Sequence, residues 1–358
     1  MPGERLGVAV VGAGYWGPNL VRNFLASEDW DLLAVCDLDL GKARGLVNDL
    51  PFVAVTDSLA EVLAMDDVDA VAIATPAGTH HGLALSALRA GKHVLVEKPL
   101  ADSAERGREM VRVARENGLV LMADHTYCYT PAVSKIRELV GEGALGDILF
   151  IDSTRINLGL IQPDVDVLWD LAPHDLSVLD FVLPGGLDPI GVSAHGADPI
   201  GAGKACVGHV YLPLRSGAMA HVHVNWLSPT KIRQMVIGGS RRTLVWDDLN
   251  VVQRVSVYDR GIELTDRPTN GEVRAARSVA YRVGDTWAPA LKEREALGAM
   301  VEEFAASIRE ERAPRTDGKA GLRILNVLEA AGSSMREHGS LVPLPTVEAE
   351  TPPLRVAT

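Results

Sequence analysis

Cysteine is scarce in this sequence. Three residues, Cys36, Cys128 and Cys206, are scattered along 358 positions. An odd count without CxxC spacing gives neither a disulfide framework nor a metal knuckle, so each reads as a small packed hydrophobe in a reducing compartment. Long apolar runs are absent as well: none approaches the ~18–20 residues that a membrane span needs. Met1-Pro2-Gly3-Glu4-Arg5 leads straight into a short apolar run, without a signal-peptide layout. The expected localisation is cytoplasmic. Positive charge is in deficit, with 35 Lys and Arg against 47 Asp and Glu, a formal net charge of −12. Such a surface repels nucleic acid and anionic membrane, so neither is expected as a partner. No internal repeat, HExxH or Cys-His cluster appears, and no metal site is expected.

The chain has enough apolar residues (47%, with 23% charged) to fold as a soluble globular protein. Its length favours two domains at ~100–200 residues each. Apolar runs at 6–11, 32–36, 70–74, 94–96 and 120–123 have strand length, and helical spacing occupies 19–26, 79–90 and 103–117. Continuous apolar strands alternating with helices mean βαβ units and a parallel sheet covered on both faces.

The first strand runs into Gly12-Ala13-Gly14-Tyr15-Trp16-Gly17, and Asp37 closes the second strand twenty positions after Gly17. Strand, glycine-rich turn, helix and distant acid together form a dinucleotide-binding fingerprint. Gly12 permits the turn, Gly14 leaves room for a pyrophosphate, and Gly17 lets helix and strand approach. The helix N-terminus offers N–H groups and partial positive charge. Asp37 would accept from ribose hydroxyls and repel a 2′-phosphate. Leu38, Asp39 and Leu40 bring no cation, so NAD is expected rather than NADP. Two further loops follow strands: Thr75-Pro76 with Thr79-His80, and Glu97-Lys98-Pro99. The expected cofactor contacts are Gly12, Gly14, Tyr15, Trp16, Gly17, Asp37, Thr75, Pro76, His80, Glu97 and Lys98.

These loops, in this order and spacing, resemble the glucose–fructose oxidoreductase / inositol dehydrogenase (Gfo/Idh/MocA) family. Trp169-Asp170-Leu171-Ala172-Pro173-His174-Asp175 resembles its Asp-x-x-x-His segment, and Tyr281-Arg282-Val283-Gly284-Asp285 is similar to its sugar-nucleotide branch. The resemblance implies a Rossmann domain, then an α+β domain, with the cofactor between them. It also implies oxidation or reduction of a secondary alcohol on a sugar, cyclitol or nucleotide-linked sugar, with Lys98, Asp170 and His174 as the catalytic set. Where many members are glycine-rich, this chain has Val167-Leu168-Trp169 and Pro173, which suits the sugar-nucleotide branch.

The chemistry also follows from the residues. Asp170 and His174 are four apart and share a helix face. A histidine suits general-base work on an alcohol, and a neighbouring carboxylate would favour its imidazolium. Lys98 would stabilise an alkoxide. The alternative is an Asp170 helix cap with His174 packed in an interface.

From about residue 147 the pattern changes to strands at 148–157, 207–212, 218–226, 232–237, 243–246 and 251–258. Helices are expected at 131–140, 170–181, 291–310 and 318–337. Strands joined by loops mean a mostly antiparallel sheet. The fold class is α/β: residues 1–125 form a doubly wound Rossmann domain. Residues 126–346 form an α+β substrate and oligomerisation domain, and 347–358 a loose tail. Arg155 and Asn157 share a strand face and, with Lys231 and Arg233, could hold a sugar diphosphate. The expected substrate contacts are Lys98, Tyr127, Arg155, Asn157, Trp169 and His174. His221 and His223 share another strand face. The resemblance implies that the open sheet face meets another subunit, in a homodimer or homotetramer. The expected activity is an NAD-dependent dehydrogenase or ketoreductase of a nucleotide-linked sugar. A dehydrogenase of a free cyclitol, aldose or glycoside, and a non-catalytic NAD-binding sensor, remain as alternatives.

Overall fold

The computed structural model describes residues 5–266 and 277–345. The expected tail at 347–358 lies outside the described residues. Six parallel strands form the first sheet: β1 (Leu6–Val11), β2 (Trp30–Cys36), β3 (Ala54–Thr56), β4 (Ala70–Ile73), β5 (His93–Glu97) and β6 (Leu121–Asp124). Their order is β3-β2-β1-β4-β5-β6. Helices α1 (Gly17–Ala26), α2 (Leu40–Val47), α3 (Leu59–Leu63), α4 (Ala77–Arg89) and α5 (Ala104–Glu116) connect them. Val8 and Val10 enter one apolar core, Ala9 and Val11 the other. That two-sided burial is why β1 reads as an unbroken apolar run. The sequence pattern missed α2, β3 and α3 because they are short and bury few residues. The strand order reverses between β1 and β4, and the crevice that ligands use in such sheets opens there.

A 3-10 turn (Thr126–Tyr129) leads into α6 (Pro131–Gly141) and a second sheet. Its strands are β7 (Ile148–Leu158), β8 (Gly191–Ala197), β9 (Val207–Pro213), β10 (Met219–Asn225), β11 (Leu227–Gly239), β12 (Thr243–Asp247), β13 (Val255–Asp266), β14 (Arg277–Trp287) and β15 (Val342–Pro343). They run in the order β14-β13-β12-β11-β7-β10-β9-β8-β15. All pairs are antiparallel except β7 with β10. The inner face carries Ile151, Val222, Val224, Met235 and Trp246, all buried. Helix α7 (Val167–Val182) packs there.

Helix α7 starts one turn earlier than expected. Asp166 caps it, accepting from the Leu168 and Trp169 N–H groups at 3.0 Å each, so Asp170 is freed from capping. Two late helices, α8 (Ala296–Arg309) and α9 (Gly318–Arg336), return to the first sheet, on α1 and α5 respectively. Trp30 fixes this return. Its ring contacts Phe24 and Phe304 at 5.4 and 5.2 Å, and its indole N–H donates to the Val301 carbonyl. Each such aromatic pair adds about 0.5–1.5 kcal/mol beyond area burial. Helix α9 also packs on α7 and β8, so it links the two sheets, with a cleft between them.

Candidate active site

The glycine-rich loop has the shape its sequence predicts. Gly12 has φ +105°, and a Cβ there would meet the Ala74 carbonyl oxygen at 2.6 Å. At Gly17 a Cβ would stand 2.2 Å from the Gly12 oxygen, whereas at Gly14 it would meet nothing within 4 Å. Two glycines are therefore required by the protein itself, and the third faces open space. No side chain caps α1 at Trp16. Asp37 accepts from the Ala13 N–H at 2.6 Å through one oxygen and from the Asp39 N–H at 2.8 Å through the other. It braces the loop while standing at the end of β2, where a ribose would lie. Open space at Gly14, an uncapped helix start and this carboxylate fit a dinucleotide.

A cleft of about 450 Å³ lies between this loop and the second sheet. Tyr15, Trp16, Glu97, Lys98, Tyr127, Arg155, Asn157, Asp170 and His174 line it. The Lys98 ammonium donates to the Asp170 backbone carbonyl at 3.0 Å and to its Oδ1 at 3.2 Å. The other carboxylate oxygen accepts from the Trp226 indole N–H at 3.0 Å. Asp170 thus serves Lys98, and the expected support of a His174 imidazolium is corrected. Burial, followed by the charges of Lys98 and Arg155, holds the His174 ring well below the ordinary histidine range. A neutral ring in a cleft can accept a proton. Tyr127 meets His174 edge-on at 5.3 Å between ring centres.

Beneath Lys98 sit two buried groups with unpartnered polar atoms, Glu97 Oε2 and both ring nitrogens of His125. Burial and the neighbouring Asp124 raise the Glu97 carboxyl well above its ordinary range. Burial and Lys98 push His125 down to about 3, so its ring is neutral at pH 7. Asp124 faces Glu97 across the β5–β6 pair and accepts from the Trp16 indole N–H at 2.9 Å.

Several expected contacts are placed elsewhere. His80 is buried, with Nδ1 and Nε2 each 2.8 Å from a carbonyl, of Pro99 and of Thr75. It ties the two loops together from behind; burial lowers its proton affinity against the pull of both carbonyls. Trp169 packs against both apolar cores and is not part of the cleft wall. Arg155, expected as the cation for a diphosphate, lines the cleft but is 2% exposed. Its Nε and Nη2 donate to Asp175 at 2.7 and 3.2 Å, and Nη1 donates to the Tyr127 hydroxyl at 3.0 Å. A buried guanidinium needs such a partner, and Asp175 cancels its charge. Arg233 also lines the cleft, while Lys231 is exposed outside it. His221 and His223 stand on the opposite sheet face, stacked with His209. No group of three His, Cys, Asp or Glu among the described residues is placed to hold a metal.

Sequence reading missed Asp124, Asp175 and Trp226. Asp124 had a signal, the carboxyl end of a parallel strand beside the Lys98 strand. Asp175 had only its place after His174. Trp226 had none, being 56 positions from Asp170.

Residues 6–125 match the GFO/IDH/MocA oxidoreductase family with an NAD-binding Rossmann fold, and residues 133–245 match the GFO/IDH/MocA C-terminal domain. The chain is 30% identical over 322 residues to UDP-N-acetylglucosamine 3-dehydrogenase of Acidithiobacillus ferrooxidans, covering 88% of this chain and 93% of that one. The solved structure of that enzyme superposes with a TM-score of 0.78 at 26% identity, over 94% of this chain and all of the other. The D-glucoside 3-dehydrogenase of Escherichia coli strain K12 is 31% identical over 219 residues, 58% of this chain and 62% of its own. With an NAD-binding Rossmann domain and its partner sheet both matched, the chain belongs to the GFO/IDH/MocA family of oxidoreductases.

Proposed function

We propose that this protein is a dehydrogenase or ketoreductase acting on a secondary hydroxyl of a nucleotide-linked sugar, with Lys98 and His174 at the reacting oxygen. The observation that carries the reading is a lysine ammonium clamped by Asp170 in the same cleft as a histidine held neutral. Bound NAD supplies the hydride acceptor. An ammonium has three N–H groups. Two of the Lys98 contacts go to Asp170, which leaves a donor for the substrate oxygen. His174 accepts the hydroxyl proton as the carbonyl forms, and Lys98 stabilises the developing alkoxide. Tyr127 and Asn157 offer polar groups to the sugar ring. A relative that acts on a UDP-sugar supports the nucleotide-linked class.

One observation favours a neutral glycoside instead: the charge of Arg155 is already cancelled by Asp175, and Arg233, the other guanidinium on the cleft wall, pairs with Asp248 at 3.6 Å. A thermal-shift panel of UDP-, dTDP- and GDP-sugars against inositols and methyl glucosides, with NAD present, separates the two. Stabilisation by a nucleotide sugar upholds the first reading, and by free sugars alone the second. Phe150, Tyr211 and Met219 are partly exposed on the open face of the second sheet, which supports pairing of copies there. Sedimentation at micromolar concentration tests it, with a monomer as the opposing result.

A further inference from the structure

We infer that Trp226 is a positioning residue for Lys98, acting through Asp170. The inference rests on the functional reading above, since it assigns a role toward the lysine placed at the reacting oxygen. Trp226 follows β10, is 1% exposed, and takes no part in the cleft wall. It therefore does not touch a molecule bound in the cleft. Its indole N–H donates to Asp170 Oδ2 at 3.0 Å while Lys98 holds Oδ1. Each oxygen of the carboxylate thus has a donor, and a planar group fixed at both oxygens cannot turn about its own bond without losing one.

The backbone that carries the indole is itself clamped. The Trp226 backbone N–H donates to the Cys206 carbonyl at 3.0 Å, and its backbone carbonyl accepts from the Gly159 N–H at 2.8 Å. A Cβ on Gly159 would stand 3.1 Å from the indole Cδ1, so the chain closes against the ring edge. The Asp170 side chain is 17% exposed and Lys98 16%, so both sit at the cleft rim. There, water and alternative rotamers compete for the carboxylate. A lysine side chain has many rotamers and does not hold one geometry unaided. A rigid donor behind the carboxylate removes that freedom.

The test compares wild type, Trp226→Phe, Asp170→Asn and the double variant. The primary readout is the rate at which acetic anhydride acetylates Lys98, followed by mass spectrometry without substrate. Trp226→Phe keeps the ring and removes the donor. The expected result is several-fold faster labelling in each single variant and no further gain in the double. Wild-type labelling in Trp226→Phe alongside fast labelling in Asp170→Asn would overturn the inference. So would rates that multiply in the double variant. Should Trp226→Phe not fold, hydrogen exchange of the Trp226 indole N–H in wild type and Asp170→Asn decides. Faster exchange without the carboxylate is expected, and equal exchange overturns the claim. Turnover of UDP-N-acetylglucosamine with NAD provides the second arm: about tenfold lower kcat in Trp226→Phe, with KM for NAD unchanged, agrees with positioning. Wild-type turnover in Lys98→Met would instead refute the functional reading, while the labelling rates still report on the clamp.

Discussion

The Lys98 ammonium is tied to Asp170 twice, at the backbone carbonyl and at Oδ1, across 72 positions of sequence. The bond joins the end of β5 in the first sheet to the first turns of α7 over the second, so the pair that serves the chemistry also bridges the two sides of the cleft. Replacing Lys98 with Met is expected to lower turnover ~100-fold or more, the usual scale for losing an acid–base group. Asp170→Asn keeps one acceptor and should cost less, about tenfold. NAD affinity, measured by fluorescence titration, should change little in either, because the glycine-rich loop is untouched. Wild-type turnover in Lys98→Met would remove this lysine from the mechanism.

The pH dependence follows from His174. Its folded-state proton affinity is depressed by burial and by the cations of Lys98 and Arg155. The ring therefore stays a base below pH 6.5, where a free histidine is half protonated. Turnover should remain level from pH 8 to about 6 and fall only further into acid. Stability runs with the same sign. Below 6.5 the unfolded chain takes up a proton that the folded ring refuses, so stability falls as pH falls. His125, at about 3 in the fold, adds to that loss. Thermal midpoints measured between pH 7.5 and 5 should decline, and decline less in His174→Ala.

Glu97 has the opposite sign. Its carboxyl keeps a proton in the fold that the unfolded chain releases above pH ~4.5, so this group costs stability as pH rises. Glu97→Gln keeps the shape without the titration. Its thermal midpoint should exceed that of wild type at pH 8 by ~2 °C or more, with the gain shrinking toward pH 5. Equal midpoints at both pH values would mean that the carboxyl is not held neutral.

The glycines separate folding from binding. Gly14→Ala adds a methyl to open space, so the thermal midpoint should hold while NAD affinity weakens about tenfold or more. At Gly17 the same methyl would stand 2.2 Å from a backbone oxygen. That variant should lose about 1–3 kcal/mol of stability, as overpacked sites do. Circular dichroism melts and NAD titrations on the pair check both.

Arg155 and Asp175 form a buried pair, each side chain 3% exposed. Removing only Asp175 leaves an uncompensated guanidinium, at an expected cost of about 3–5 kcal/mol. Arg155→Met with Asp175→Leu together should recover most of it, because neither charge then remains. Urea unfolding of the single and double variants measures the difference. A mild Asp175→Ala would show that water reaches the pair.

Much of this protein is written locally. Unbroken apolar strands, a glycine-rich turn and an acid twenty positions on determine the first sheet and its dinucleotide crevice, because each depends on neighbours in sequence. The positions of Lys98 and His174 were legible too, through strand-end and helix-face placement. What Asp170 does was not. Spacing alone put it with His174 on one helix face, yet its carboxylate is claimed by Lys98 and Trp226 from two other elements. Arg155 likewise reads as a free cation until Asp175, on the neighbouring helix, takes its charge. Hydrogen-bond partners and burial are set by which elements pack together. The periodicity of the sequence determines the elements and their faces; only the tertiary packing decides which charges stay open to a ligand and which are spent within the protein.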